Sequence, residues 1–381
     1  MEQVLVIDAL RTPLARRNGA LSGIHPARLL AAVLAELLRR TGVDGGAVQQ
    51  VIAGCVTQVG EQSFNVGRTA WLTAGLPETV AASTVDAQCG SSQQAFTLAT
   101  GLVRGGLADV IIACGVESMS RIPIGANFKK ELGFGRPIPP EYLERYAFLN
   151  QFQAAEAIGK KWGVTRECAD AFGVLSQQRA AVAWAEGRFS EQIVPVEGEA
   201  GVVDKDEGLR ETTLEALAQL QPVVPDGIHT AGTASQITDG ASAVLIVSER
   251  WASEHRLTPK ARVVDSMLTG VDPVSMLTGP HEVTPQLLRR NNLTMNDVDV
   301  VEINEAFASI VLSWADVVDA DMSKVNPNGG AIALGHPLGA TGTVLITKAV
   351  HELERTGGRY ALVTMCCGGG LGTGTLLERA A

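Results

Sequence analysis

The sequence predicts an α/β protein made of two similar halves, each with a mostly parallel sheet. Three observations carry that expectation. Short β-branched runs alternate with helical patterns along most of the chain, segments about 250 residues apart resemble one another, and a stretch of different composition interrupts the first half. Alternating strands and helices pack as layers, because each helix supplies the crossover between neighbouring parallel strands.

In chain order, VLVIDALRT (4–12) reads as a buried strand and is matched by ARVVDSMLT (261–269). A helical pattern covers Pro26–Arg40, and VIAGC (51–55) lies 250 positions before VEINE (301–305). A strand ends at Val85, a helical pattern covers Ser91–Arg104, and ADVIIACG (108–115) is matched by RYALVTMCC (359–367). Each run is flanked by Gly, Asp or Asn, as buried strands are. The second half adds helical patterns at Pro285–Arg290 and Thr341–Arg355. Residues 120–237 have no counterpart; they are richer in proline and charge (RPIPPEYLERY) and hold helical runs at Phe152–Trp162 and Cys168–Glu186. The expected organisation is an N-terminal half (1–119 with 238–259), an inserted loop domain (120–237) and a C-terminal half (260–381). An insertion above the strand ends of a rigid core is a common place for substrate-binding structure.

With 381 residues, 46% hydrophobic and 19% charged, the chain is expected to be soluble and to bury a large core. A net charge of −10 excludes a general binder of nucleic acid or anionic membranes, which the overall field would repel. The N-terminus MEQVLVIDALRTP runs straight into a strand, and apolar stretches such as Leu29–Leu38 fall short of a bilayer span. Neither a secretory signal nor a transmembrane helix is expected, and the expected location is cytoplasmic. Six cysteines without a CxxC pair argue against a disulfide framework and against a structural metal.

Four segments carry candidate chemistry. TVDAQCGSSQQA (84–95) places Cys89 between a strand end and a helix start. A helix N-terminus stabilises a thiolate, lowering the thiol below its usual pKa of roughly 8.5; a buried structural cysteine fits the segment equally well. NPNGGAIALGHPLGATG (326–342) holds His336 in a glycine-dense loop entering a helix, and histidine suits proton transfer near neutral pH. MCCGGGLGTG (365–374) offers a thiol and backbone N–H donors for a developing oxyanion. The rival reading, a phosphate loop, lacks the GxxxxGK[ST] pattern. EINEAFAS (302–309) ends a strand with Asn304, an uncharged donor, and Glu305, which either orients Asn304 or caps the next helix. The repeat puts all four segments in equivalent loops of the two halves, where a pseudo-twofold axis would bring them to one cleft.

With these segments in view, the chain resembles the thiolase family over essentially its whole length. The resemblance rests on VDAQCGSS, ESMSRIP, SQITDGASAV, NEAF, GGAIALGHPLGATG and CCGGG. It implies a fold of two βαβαβαββ halves related by a pseudo-twofold, with an inserted loop domain. It further implies that Cys89 is the acylated nucleophile, that His336 activates it, and that Asn304 shares an oxyanion site with His336. Cys366 would be the acid/base thiol, and Gly368 would give its N–H to a second oxyanion site. Ser235, Met276, Arg210, Ala231 and Phe307 match positions that contact coenzyme A or shape the acyl pocket. The implied enzyme is an acetyl-CoA C-acyltransferase with coenzyme A as co-substrate, no permanently bound cofactor, and a homodimeric or homotetrameric assembly.

The resemblance is strongest to degradative thiolases of actinobacterial steroid and lipid catabolism. Asp86 stands where many thiolases have asparagine, and Gln151-Phe152 stands where short-chain biosynthetic members often have His-Met. The loop from Ile122 to Asn150 also differs from those members. The expected reaction is retro-Claisen cleavage of a 3-ketoacyl-CoA, on a bulky acyl group, to acetyl-CoA or propionyl-CoA and a shortened acyl-CoA. The alternatives are a biosynthetic acetoacetyl-CoA thiolase and a non-catalytic acyl-CoA or lipid-binding relative.

Overall fold

The computed structural model describes residues 2–128, 133, 135–199 and 201–380. β1 (Val4–Arg11) is buried along its whole length, so an aliphatic run with little alternation becomes a central strand. The chain continues through β2 (Ala15–Arg16), α1 (Pro26–Thr41), β3 (Gln50–Gly54), α2 (Val66–Thr73), β4 (Ala81–Val85), α3 (Ser91–Arg104) and β5 (Val110–Ser118). The segment without an internal counterpart holds α4 (Pro140–Arg145), α5 (Gln151–Lys161), α6 (Arg166–Ala185), a small hairpin of β6 (Val196–Gly198) and β7 (Gly201–Val203), and α7 (Leu214–Ala218). β8 (Thr238–Ser248) and α8 (Glu249–Glu254) complete the first half. The second comprises β9 (Ala261–Gly270), α9 (Gly279–Arg290), β10 (Val300–Ile303), α10 (Ala308–Val318), α11 (Thr341–Thr356), β11 (Tyr360–Cys367) and β12 (Leu371–Arg379).

The strands run in the order β4-β3-β5-β8-β1 and then β9-β12-β11-β10. The two groups meet where Leu5 lies opposite Arg262 and Val6 opposite Ala261. Between the two sheets lie α3 and α11. Phe96, Ala99 and Val103 of α3 and Leu345, Ile346 and Val350 of α11 pack with residues from both sheets. α1 and α2 cover the outer face of the first sheet, and α9 and α10 that of the second. The layering is therefore helix, sheet, helix, sheet, helix.

The expectation of mostly parallel sheets is corrected. β3 pairs in parallel with β4 and β5, and β10 with β11, but β1–β8, β5–β8, β9–β12 and β11–β12 are antiparallel. The physical reason is clearest at β11–β12, joined by the three glycines 368–370. A link that short permits only a hairpin, whereas parallel neighbours need a crossover.

Glycines let the central helices approach closely. A Cβ on Gly342, in the first turn of α11, would lie 2.3 Å from the Gln93 nitrogen of α3, and one on Gly115 would lie 2.3 Å from the Gly339 oxygen. Gln93 is buried and reaches into the second sheet, donating to the Val363 oxygen and accepting from Thr373 Oγ1. Two buried ion pairs fasten other layers. Arg11 holds Asp206 of the insertion through two bonds of 2.7 and 2.9 Å. Lys348 of α11 reaches Glu302 of β10 at 2.5 Å and the Gly329 oxygen at 2.6 Å.

Removing one member of a buried ion pair strands the other charge. Lys348→Met is expected to cost about 3–5 kcal/mol in urea unfolding, and pairing it with Glu302→Leu should recover most of that loss. Equal losses in the single and double variants would contradict the pairing.

Candidate active site

The turn from β4 into α3 presents Cys89. Gln88 adopts the left-handed conformation (φ 53°), and its N–H is held by Asp86 Oδ1 at 2.8 Å. Ser91 Oγ accepts from the Ala87 N–H and donates to the Gln88 oxygen, closing the turn from the helix side. Cys89 is left half-buried, packed against Val56, Met119 and Leu338. Gly90 has to be glycine here, since a Cβ would stand 2.7 Å from Cys367 Sγ.

The backbone N–H groups of Gly368 and of Cys89 itself favour the thiolate of Cys89. Desolvation is the larger effect, and the charges of Glu117 and Asp86 add to it, so the thiol is pushed up to about 11. This corrects the expectation of a pKa lowered by the helix N-terminus. Gly90 takes the cap position, α3 begins at Ser91, and burial outweighs the dipole. The resting side chain is a thiol at neutral pH.

His336 lies in the glycine-rich loop, its N–H bonded to the Gln236 oxygen at 3.0 Å. Its Nδ1 is 2.6 Å from Thr341 Oγ1, which donates to the Pro337 oxygen at 2.8 Å. Its Nε2 faces Asn304 Nδ2 at 3.4 Å. Burial pulls the imidazole down to about 4, so it is neutral at pH 7 and has a lone pair available. Asn304 follows β10, its N–H bonded to the Thr364 oxygen of β11, and its side-chain Oδ1 is buried with no partner.

Glu305 neither caps α10 nor touches Asn304's amide. It accepts from Ser176 Oγ, Asn326 Nδ2 and the Ile332 N–H, tying the insertion to the glycine-rich loop. Glu117, at the end of β5, accepts from the N–H groups of Val56, Thr57 and Gly339 and from Gln62 Nε2. It thereby joins the loop after β3 to the loop that carries His336.

Cys366 is the penultimate residue of β11, fully buried among Ala234, Met276, Leu277, Ala306 and Phe307. Burial raises its thiol pKa, and the negative field of a Cys89 thiolate raises it further. Cys367, one residue on, points into the opposite core with α3 and α11. The Ser235 N–H bonds the Ala306 oxygen at 3.0 Å, placing its segment beside Phe307. Phe307 meets Phe152 edge-on at 4.9 Å and His229 at 5.2 Å. Met276 holds a positive φ of 32°, a conformation that costs a non-glycine residue strain.

Arg210 and Ala231 meet in a different place: an Arg210 Nη2 contacts the Ala231 oxygen at 3.5 Å. Arg210 lines an open groove of about 580 Å³ with Gln177, Gln178, Ala181, Leu209 and Thr212. The structure thus brings together Cys89 with Gly368, Asn304 with His336, and Cys366 with Met276 and Phe307. Cys55 and Cys114 are buried in the core, and Cys168 is exposed.

The sequence reading missed Thr341, Glu117 and the apolar neighbours of Cys89. Glu117 had a legible signal, a carboxylate closing the apolar run VIIACGV. Thr341 had none beyond its position at a helix start. Among the described residues no cluster of His, Cys, Asp or Glu suited to a metal occurs, and no helix is long and apolar enough to cross a membrane.

A cysteine on a strained turn, a neutral histidine beside an amide, and a second thiol at a glycine hairpin, carried on two repeated halves, define an acyl-transferring enzyme. The chain belongs to the thiolase family: the thiolase N-terminal domain matches residues 4–250 and the thiolase C-terminal domain residues 257–379. It is 49% identical over 385 residues to a steroid 3-ketoacyl-CoA thiolase of Mycobacterium tuberculosis, covering 100% of this chain and 95% of that one. It is 43% identical to a beta-ketoadipyl-CoA thiolase of Acinetobacter baylyi over the full length of both. Human mitochondrial 3-ketoacyl-CoA thiolase, also solved in complex with CoA, superposes with a TM-score of 0.91 at 35% identity, covering 100% of this chain and 98% of the CoA-bound one.

Asp86→Asn keeps the acceptor for the Gln88 N–H and removes a negative charge near Cys89. The variant should lower the Cys89 pKa and speed its alkylation by iodoacetamide at pH 8, followed by peptide mass spectrometry. An unchanged rate would show that Asp86 has no electrical hold on the thiol.

Proposed function

We propose that the protein is a degradative 3-ketoacyl-CoA thiolase that cleaves its substrate through an acyl-Cys89 intermediate, with coenzyme A as co-substrate. The observation that carries this reading is the Cys89 sulfur under the N–H groups of Gly368 and Cys89, with Cys366 close enough to feel its charge. A non-catalytic binding protein has no use for two thiols so placed. The inserted segment 120–237 would bind the CoA thioester between the halves 1–119 with 238–259 and 260–381. Its residues 129–132, 134 and 200 lie outside the described residues.

In the proposed reaction, neutral His336 takes the Cys89 proton as the sulfur attacks the keto carbon. The keto oxygen becomes an oxyanion held by the N–H groups of Cys89 and Gly368. When the carbon–carbon bond breaks, the electron pair leaves as the enolate of acetyl-CoA or propionyl-CoA, its oxygen held by protonated His336 and Asn304. Cys366 gives its proton to the enolate carbon, then recovers one from the incoming CoA thiol, whose sulfur displaces the acyl group from Cys89. The departing Cys89 takes its proton back from His336, and the cycle closes with no redox change.

The acyl group proposed is a bulky one, such as a steroid-derived side chain or ring fragment. The reading draws on the similarity to the mycobacterial steroid thiolase and on Phe152 packed against Phe307. Met276 and Phe307 would line the acyl pocket, Ser235 and Ala231 the pantetheine path, and Arg210 the nucleotide end. The beta-ketoadipyl-CoA relatives make a short acidic acyl group the second reading. The proposed setting is the cytoplasm, and the assembly a homodimer or homotetramer. β4 supports an assembly, because it is the last strand of its sheet and leaves one edge unpaired near the 93%-exposed Phe64.

Incubation with a 3-ketoacyl-CoA should add one acyl mass to Cys89, and Cys89→Ala should abolish it. Absence of the adduct in the unaltered protein would overturn the enzymatic reading. Across a panel of 3-ketoacyl-CoA thioesters of increasing branch and ring size, thiolysis should favour the larger members; acetoacetyl-CoA outpacing all of them would reject the bulky-acyl reading. Arg210→Ala is expected to raise KM for CoA several-fold with kcat little changed.

A further inference from the structure

We propose that Thr341 is the positioning residue that sets the tautomer of His336, keeping Nδ1 protonated so that Nε2 meets the reaction centre as a base. The inference rests on the reading of His336 as the group that receives the Cys89 proton.

A neutral imidazole carries one proton, and its place is decided by the partners of its two nitrogens. Nδ1 of His336 has Thr341 Oγ1 at 2.6 Å. That hydroxyl owns a single proton, and the Pro337 oxygen, which can only accept, lies 2.8 Å away. The same carbonyl gathers the N–H groups of Ala340 and Thr341 at 3.0 Å each, so the turn is drawn around it. With its proton directed there, Oγ1 offers Nδ1 a lone pair, and Nδ1 meets it as N–H. Nε2 then keeps its own lone pair.

The opposite side of the ring agrees. Nε2 faces the amide nitrogen of Asn304, a donor, at 3.4 Å, while Asn304 Oδ1 is buried without a partner. A lone pair on Nε2 suits that neighbour; an N–H there would oppose a second donor. When Cys89 yields its proton, Nε2 becomes N–H and the ring a cation, and Thr341 continues to accept from Nδ1. One fixed acceptor therefore serves both the base and the imidazolium. Thr341 is well placed to stay fixed: it is 2% exposed, and it is the first residue of α11.

The test combines nitrogen-15 NMR of labelled histidine with single-turnover acylation of Cys89 by acetoacetyl-CoA, read by mass spectrometry. His336 of the unaltered protein should show the Nδ1–H tautomer. Thr341→Val, which keeps the shape and loses the hydroxyl, should shift the ring toward Nε2–H and slow acylation on the order of 10- to 100-fold, the loss of one hydrogen bond to a charged ring. Thr341→Ser should keep the tautomer and most of the rate. An Nε2–H tautomer in the unaltered protein overturns the proposal, and that spectrum together with Thr341→Ser decides the matter even if Thr341→Val does not fold. His336→Ala separates the two levels. If it acylates as fast as the unaltered protein, the base reading of His336 fails; if it is slow while Thr341→Val is not, the positioning role of Thr341 alone is overturned.

Discussion

Everything at the reaction centre depends on how closely two helix starts approach each other in the middle layer. α3 follows Cys89 and α11 follows His336, and their first turns touch where glycine replaces every bulkier side chain. Gly54, Gly115, Gly339 and Gly342 each sit where a Cβ would fall inside 3 Å of backbone atoms. A single methyl at any of them would push the halves apart, and groups that must act across a few ångströms would lose their reach. The glycine density of GGAIALGHPLGATG is thus a packing requirement between layers as much as a loop property.

Carboxylates hold the loops on either side of that contact. Glu117 binds the loop after β3 to the His336 loop, Glu305 binds the His336 loop to the insertion, and Glu302 pairs with Lys348 beneath them. Each is buried; Glu117 and Glu305 take donors on both oxygens, and Glu302 takes Lys348 on one. Loops become a fixed site through these anchors, while the apolar cluster of Met276, Phe307 and Phe152 is assembled from three separate segments.

Much of this was legible in the sequence. The repeat placed the strands and central helices well: α3 is Ser91–Arg104 as read, and α11 starts at Thr341 as read, 250 residues later. Local polar starts and basic ends mark those helices plainly. The start of α9 was not legible, because Pro285 looks like a helix opening yet lies inside a helix that begins at Gly279. The antiparallel pairs were missed because alternation of strand and helix says nothing about an antiparallel strand closing each half. The electrostatics of Cys89 were missed for a related reason. The side chains that bury it, Val56, Met119 and Leu338, come from three distant segments, and desolvation is a property of the assembled site. Thr341 carried no signal beyond its place at a helix start, since its contacts with His336 and Pro337 rest on one hydroxyl.

The resting state of Cys89 has a consequence for survival of the protein in an oxidising moment. Attack by peroxide follows the thiolate fraction and its access to solvent. A sulfur whose pKa is pushed up to about 11 offers almost no thiolate at neutral pH, even with two N–H groups waiting for negative charge. The sulfur is in effect stored in its unreactive form, kept from oxidants by the proton that burial makes it hold.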